Sequence, residues 1–204
     1  LKKTVRWVVG IVLGVYIGTI VLLNIPNIQQ AMSVFVAEEL SEVLNTKVVI
    51  GRINIGLLNR IIIDDVLLDD QSGQEMLKVT RLSAKFDIMP FFKGKISISS
   101  VQLFGFNINL RKETPDSPPN FKFVLDAFAS KDTVKKENSL DLRINSILIR
   151  RGRMSYHVLS EEETPGKFNA KHIQLQNIIA NISLKALSKD SLNLGIKRLS
   201  LDEK

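Results

Sequence analysis

The sequence predicts a mainly β protein: an N-terminal transmembrane helix and an amphipathic helix, then a curved antiparallel repeat sheet whose apolar face lines an open groove. Three observations lead there. A charge-free apolar run stands near the amino terminus, a stretch with helical spacing follows it, and one short apolar template then recurs along the chain. The template is plainest in ISISSVQL, where Ile96, Ile98, Val101 and Leu103 alternate with other residues except for one doubled spacer. It returns at Ile61, Ile63, Val66 and Leu68, at Leu142, Ile144, Ile147 and Ile149, and at Leu194, Ile196, Leu199 and Leu201. A period of two marks a strand, because successive side chains point to opposite faces of a sheet. The doubled spacer shifts the phase once, as a bulge or bend would.

Residues 1–26 are predicted to be a signal anchor. From Trp7 to Leu23 no residue is charged, and as a helix this run spans about 26 Å of a hydrocarbon core of roughly 30 Å. Lys2, Lys3 and Arg6 precede it, so the positive-inside tendency keeps the amino terminus in the cytoplasm. A cleaved signal peptide competes with this reading. The run is longer than a usual signal core, and the nearest small-any-small triplet, Ala31-Met32-Ser33, lies well beyond its end. Gly10, Gly14 and Gly18 recur every four residues, either as a stripe for close helix approach or as ordinary membrane-helix glycines.

Residues 27–46 read as an amphipathic helix. Ile28, Met32, Phe35, Val36, Leu40, Val43 and Leu44 form an apolar stripe, with Gln29, Ser33, Glu38 and Glu42 opposite, and Asn27 with Gln30 resembles a capping box. Its polar face is acidic, which disfavours an anionic lipid surface, so the stripe is expected to cover the end of the sheet with Phe35 buried.

The remaining residues, 47–204, read as strands. Val49, Gly51, Ile53 and Ile55 open the series, the first template copy follows, and Asp69-Asp70-Gln71-Ser72-Gly73 is a turn. LKVTRLSAKFDI and, 96 positions later, IQLQNIIANISL form a second recurring motif. The copies at Ile96 and Leu142 end near Gly105 and Gly152, before further alternating runs, which predicts hairpins at both glycines. Within 111–138, KETPDSPPN is a loop and Phe121 to Ser130 a short helix through Val124, Leu125 and Phe128. Helices are too few to cover eight or more strands. A closed barrel would solve this, as would a long sheet whose apolar face lines a groove. The copy at Leu194 leaves an edge strand, and further strands of a longer protein are expected after it.

Composition narrows the chemistry. The chain has no cysteine, so disulfides and thiolate zinc sites are excluded. Its two histidines, His157 and His172, stand 15 residues apart and not at a paired ligand spacing, so no imidazole metal site, and no cofactor, is expected. No nucleophile elbow, Walker loop or dinucleotide fingerprint is present, and the chain is not expected to be an enzyme. Asp64, Asp65, Asp69 and Asp70 read as solvated edge and turn charges; calcium binding by them is the rival reading. The formal charge of +7 suits an anionic partner. Arg143, Arg150, Arg151 and Arg153 are the densest basic patch, either a solvated face or contacts for lipid phosphate groups. Nucleic acid is not expected, because the anchor places the patch outside the cytoplasm.

NTKVVIGRINIGLLNRIIIDDVLLDD, KVTRLSAKFDIMPFFKGKISISSVQLFGFNINL and PNFKFVLDAF, behind an anchor and an amphipathic helix, resemble the amino-terminal region of the TamB/AsmA-like family of diderm bacteria. The resemblance implies an inner-membrane anchored, periplasmic protein whose U-shaped sheet carries an apolar groove for phospholipid. It also implies a role in outer-membrane biogenesis, with a TamA-type (Omp85) barrel as partner in protein translocation and assembly. On this reading the first three template copies line a lipid groove. A sixteen-carbon acyl chain leaving a bilayer for water loses roughly 12 kcal/mol, and an aliphatic groove returns most of it. The rival reading is a scaffold that holds strands of a client protein by edge pairing.

Overall fold

The structure, a computed structural model, describes residues 2–56, 59–87, 98–129, 146–164, 166–187 and 192–203. Helix α1 (Lys2–Leu23) is long and apolar enough to cross a membrane, and its apolar side chains, Trp7 and Val15 among them, lie exposed. Asn24 closes it. The Asn24 side-chain amide donates to the Ile20 carbonyl at 2.8 Å and to the Ile55 carbonyl at 2.7 Å, fastening the anchor to the first strand.

Helix α2 (Pro26–Leu44) begins two residues earlier than the capping box predicted. Pro26 takes the first helical position, where its missing N–H is no loss, so Ile25 becomes the N-cap and Asn27 lies inside the first turn. Asn45, at φ 50°, ends the helix with its N–H bonded to the Glu42 carbonyl, while the Thr46 N–H reaches the Ser41 carbonyl. The buried face also differs from the expected stripe. Gln29, Ser33, Ala37 and Leu44 are buried, whereas Phe35 is 62% exposed. Small residues explain the rotation: Ser33, Ala37 and Ser41 recur every fourth residue and let α2 approach the first strand, β1 (Val48–Gly56). The polar atoms brought in are satisfied. Gln29 donates to Asn24 Oδ1 and Asn54 Oδ1, Ser33 Oγ to the Gln29 carbonyl, and Ser41 Oγ accepts the Val48 N–H at 3.0 Å.

Strands β2 (Arg60–Asp69), β3 (Glu75–Phe86), β4 (Ile98–Lys112), β5 (Ser146–Val158), β6 (His172–Leu187) and β7 (Leu192–Glu203) follow β1 in one seven-stranded sheet, ordered as in the chain and not closed. The sheet is mixed, which corrects the antiparallel expectation: β4 and β5 run parallel, with Val101 opposite Ile147 and Leu103 opposite Ile149. A parallel step needs a long crossover, and residues 113–145, with helix α3 (Lys122–Ala129), provide it. The predicted hairpins at Gly105 and Gly152 do not form. Each glycine lies inside one continuous strand, β4 or β5.

The doubled spacer explains why those strands run on. In regular alternation two consecutive spacers would carry the next apolar pair to the opposite face. Five strands, read in their pairing register, share the template: Val48, Ile50, Ile53, Ile55 in β1; Ile61, Ile63, Val66, Leu68 in β2; Leu77, Val79, Leu82, Ala84 in β3. It continues as Val101, Leu103, Phe106, Ile108 in β4 and as Ile147, Ile149, Gly152, Met154 in β5, while β6 sets Leu175, Ile178, Ala180 and Ile182 opposite the β5 copy with its own doubled spacer one step further along. The β1 reading is thereby corrected, since Val48 and Ile50 are buried and Val49 faces the other way. In four strands one spacer residue is left-handed: Asp65 (φ 57°), Gly105 (φ 65°), Arg151 (φ 54°) and Asn177 (φ 54°). One such residue resets the alternation, so both apolar pairs share a face. Asn, Asp and Gly tolerate this conformation best.

The turn between β2 and β3 holds a second departure from expectation. Asp70 was read as solvated but is buried, 2% exposed. Its Oδ1 accepts the Ser72 and Gln74 N–H groups and the Ser72 hydroxyl, and its Oδ2 accepts from Asn120 at 3.2 Å and pairs with Arg111 at 2.6 Å. Asn120 Oδ1 also accepts the Arg111 N–H, so one carboxylate joins the turn, the end of β4 and the approach to α3. Burial alone pushes the Asp70 carboxyl up, but the hydrogen bonds from Ser72, Asn120 and Gln74 outweigh it and hold it below its ordinary value.

Three outcomes follow for the full chain unfolded by denaturant in detergent micelles. Ser33→Leu should destabilise by about 2 kcal/mol or more through overpacking against β1, while Phe35→Asp should stay within about 0.5 kcal/mol. Asp70→Asn should lose about 2–4 kcal/mol, since Arg111 keeps its charge without a counter-ion. A carboxyl with a lowered native pKa stabilises fully above its ordinary value of 3.8, and the contribution disappears as pH falls through the native one. The wild type should therefore lose more stability between pH 5 and pH 2 than Asp70→Asn. At Gly152 an added Cβ would sit 2.3 Å from the Phe106 ring. Gly152→Ala should cost about 1–3 kcal/mol, and much less when combined with Phe106→Leu.

Candidate functional site

The in-register template gathers nearly all the aliphatic strand residues on one face of the sheet. Two hydrophobic clusters sit there. In the first, Ala37 and Leu44 of α2 pack with Val48, Ile50, Ile53 and Leu68, bordered by Met32, Val36 and Leu40 of α2 and by Phe123, Val124 and Ala127 of α3. The helices thus cover the β1–β3 end. In the second, Val79, Phe106 and Ile178 are buried among Val66, Leu82, Leu103, Ile149, Met154 and Leu175, strand residues alone. Beyond it, among the described residues, the cover ends: on β7 Ile196 is 61% exposed and Leu199 54%.

The sequence-predicted groove residues fall on this face with graded burial. Leu68 is buried, and Ile61, Ile63, Val66, Val101, Leu103, Ile147 and Ile149 are half-buried. Ile98, also half-buried, stands where the β3–β4 register shifts by one residue, opposite Phe86. Ile96, Leu142, Ile144 and Arg143 lie outside the described residues. Leu199 stands opposite Ala180 and Ile196 opposite Ile182, which continues the apolar rows onto the edge strand.

The opposite face carries the charge. A depression of about 710 Å³ crosses β1 to β5 along the row of spacers, lined by Arg52, Asp64, Asp65, Arg81, Phe104 and Arg150 among others. Arg81 forks onto Asp64, Nε to Oδ1 at 2.6 Å and a terminal nitrogen to Oδ2 at 3.2 Å. The Arg151 guanidinium lies over the Phe104 ring, 5.1 Å from its centre. Arg153 lines a neighbouring depression with Asn107, Gln174 and Gln176. Arg150, Arg151 and Arg153 therefore stand on the far side of the sheet from the apolar template.

Sequence spacing did not find one cluster. His157 and His172 are directly paired across β5 and β6, with their Nδ1 atoms 3.1 Å apart. The Glu163 carboxylate, from the loop joining these strands, lies 3.7 Å and 3.9 Å from the two nitrogens. The available signal was the hairpin: a turn centred between residues 157 and 172 brings its two flanking residues face to face whatever their separation in sequence.

In comparison with known proteins, no family model matches the chain, and no curated protein matches it.

Proposed function

We propose that this chain is a membrane-anchored lipid-transfer protein. α1 holds it in the inner membrane with a cytoplasmic amino terminus, and the sheet, in the periplasm, moves phospholipid along its apolar face toward the outer membrane. One observation carries the reading: a largely aliphatic face crosses the seven paired strands, yet among the described residues helices cover only its first part, and the face lies exposed at β7. Aliphatic side chains suit acyl chains because burial needs contact area and no directed polar group. Sliding between equivalent rows of Ile, Leu and Val changes the free energy little. On this reading the β5 arginines suit an anionic membrane surface rather than the head group of a lipid whose tails lie on the other face.

The edge position of β7 among the described residues favours a second reading. Its free side could pair with a strand of an outer-membrane protein client, or of a TamA-type barrel, by β-augmentation.

A photo-crosslinking amino acid at Ile63, Leu103, Ile149 and Leu199 should capture phospholipid in cells, and the same group at Gln102, Arg150 and Gln174 should capture little. Ile63→Glu combined with Ile149→Glu should abolish capture at Leu199, because an acyl chain would have to pass buried carboxylates. Equal capture from both faces would remove the groove. Capture of protein at Leu199, with no lipid at any position, would establish the scaffold reading.

A further inference from the structure

We infer that His157, His172 and Glu163 form a site for a single divalent transition-metal ion, with the chemistry of Zn²⁺, at the β5–β6 end of the charged face. Three potential ligand atoms converge there: the two Nδ1 atoms 3.1 Å apart and Glu163 Oε1 at 3.7 Å and 3.9 Å from them. Ligands held about 2.0–2.1 Å from a tetrahedral ion lie about 3.3–3.4 Å from one another, so small side-chain rotations bring all three into a coordination shell. Two imidazoles and a carboxylate are a borderline donor set, which favours zinc, copper or nickel over magnesium and calcium.

The surroundings fix the direction of the lone pairs. His172 Nε2–H donates to the Glu161 carbonyl at 3.0 Å, which leaves Nδ1 of the neutral ring as the acceptor aimed at His157 and Glu163. A backbone carbonyl on the outer nitrogen is the usual way a ligating histidine is oriented. Lys171 pairs with the Glu161 carboxylate at 2.6 Å, the Asn169 side chain donates to the Glu162 carbonyl, and the His172 N–H bonds to the Asn169 carbonyl. The loop that carries Glu163 is thereby tied back to β6. His172 is largely buried, its side chain 10% exposed, whereas Glu163 is 67% exposed and free to swing inward. A depression of about 330 Å³, lined by His157 together with Asn109, Arg111 and Ser155, leaves room for a water as fourth ligand. In the absence of an ion, His157 Nδ1–H donates to His172 Nδ1. Binding moves that proton to His157 Nε2 and places both Nδ1 lone pairs on the metal. The ion would clamp the hairpin of β5 and β6, a role independent of the lipid-transfer proposal.

The test uses the full chain in detergent micelles, purified through a tag without histidine, and Zn²⁺ alone as the probe. Because His157 and His172 are the only histidines, imidazole nitrogen NMR reads the site directly. One equivalent of Zn²⁺ should shift both Nδ1 resonances together and leave both rings protonated at Nε2. Titration against a chromophoric chelator should give a 1:1 complex weakened about 100-fold or more by His157→Ala or His172→Ala, given that loss of even an outer partner costs 10–100-fold. Glu163→Gln, at an exposed position without a packing role, keeps the fold and should weaken binding about 10-fold or more. Mg²⁺ and Ca²⁺ should shift neither resonance. Movement of one resonance only, binding unchanged by all three variants, or an unshifted spectrum at millimolar Zn²⁺ would overturn the site and leave a plain imidazole–imidazole hydrogen bond.

Discussion

Most of this architecture depends on one backbone constraint: five adjacent strands, β1 to β5, must reset their alternation at the same level of the sheet, and β6 one step further along. Were the doubled spacer regular, each strand would present half its apolar residues to either face, and no continuous hydrophobic surface could form. The left-handed residues Asp65, Gly105, Arg151 and Asn177 solve this within β2, β4, β5 and β6. In β1 and β3 the spacers follow their neighbours' distortion: a Cβ at Gly51 would meet the Asp65 Cβ at 2.9 Å, and one at Gly105 the Thr80 hydroxyl at 2.7 Å. A left-handed Arg151 is less favoured than a glycine would be. Its guanidinium over Phe104 and the Gly152 that follows, on which the Phe106 ring rests, are local compensation.

The same row divides the faces chemically. Spacer positions are mostly polar, so aligning them across the strands gathers Arg52, Asp64, Asp65, Arg81 and Arg150 into one depression opposite the hydrophobic clusters. The template is palindromic and therefore fits antiparallel neighbours and the single parallel step alike. Chain direction leaves no mark on the pattern. That is why the parallel pairing of β4 and β5 was not visible in the apolar letters, although the connection from Lys112 to Ser146, with its helix, was long enough to announce a crossover.

What was legible in the sequence had a period, and what was missed depended on partners. The apolar helix, the amphipathic helix, the strand identities and the short helix after KETPDSPPN were all readable from local pattern. The template was recognised in β2 but displaced by half a copy in β4 and β5, because an aliphatic run longer than the template can be read in two phases and only cross-strand pairing selects one. Phe35 and Asp70 failed for a related reason. The apolar stripe predicts the buried side of α2, and Met32, Val36, Leu40 and Leu44 do pack there, yet serine and alanine approach a strand more closely than phenylalanine, so Phe35 faces out. An aspartate in a turn was taken as solvated, yet its lone pairs were needed by Ser72, Gln74, Arg111 and Asn120. Of the candidate site, the apolar rows were legible; the side taken by the arginines and the meeting of the two histidines were not, since both follow from strand register.

The polar contacts at the root of the sheet bear on how the long apolar helix and the sheet are joined. Asn24 lies between α1 and α2 and binds the backbone of β1 at Ile55, while Gln29 links Asn24 to Asn54. These bonds fix the exit of the anchor at the Ile55 end of β1, and α2 then runs along the strand to Ser41, whose hydroxyl accepts the Val48 N–H at the other end. The part of the apolar face that the helices cover therefore adjoins α1, the middle strands stay buried at Val79, Phe106, Ile178 and Ala180, and the face is openly exposed at Ile196 and Leu199 of β7. On the lipid-transfer proposal, this arrangement would seal the root of the path with α2 and α3. Each later row then faces only another hydrocarbon, so the direction of movement must come from a difference in lipid supply between the two ends and not from the sheet itself.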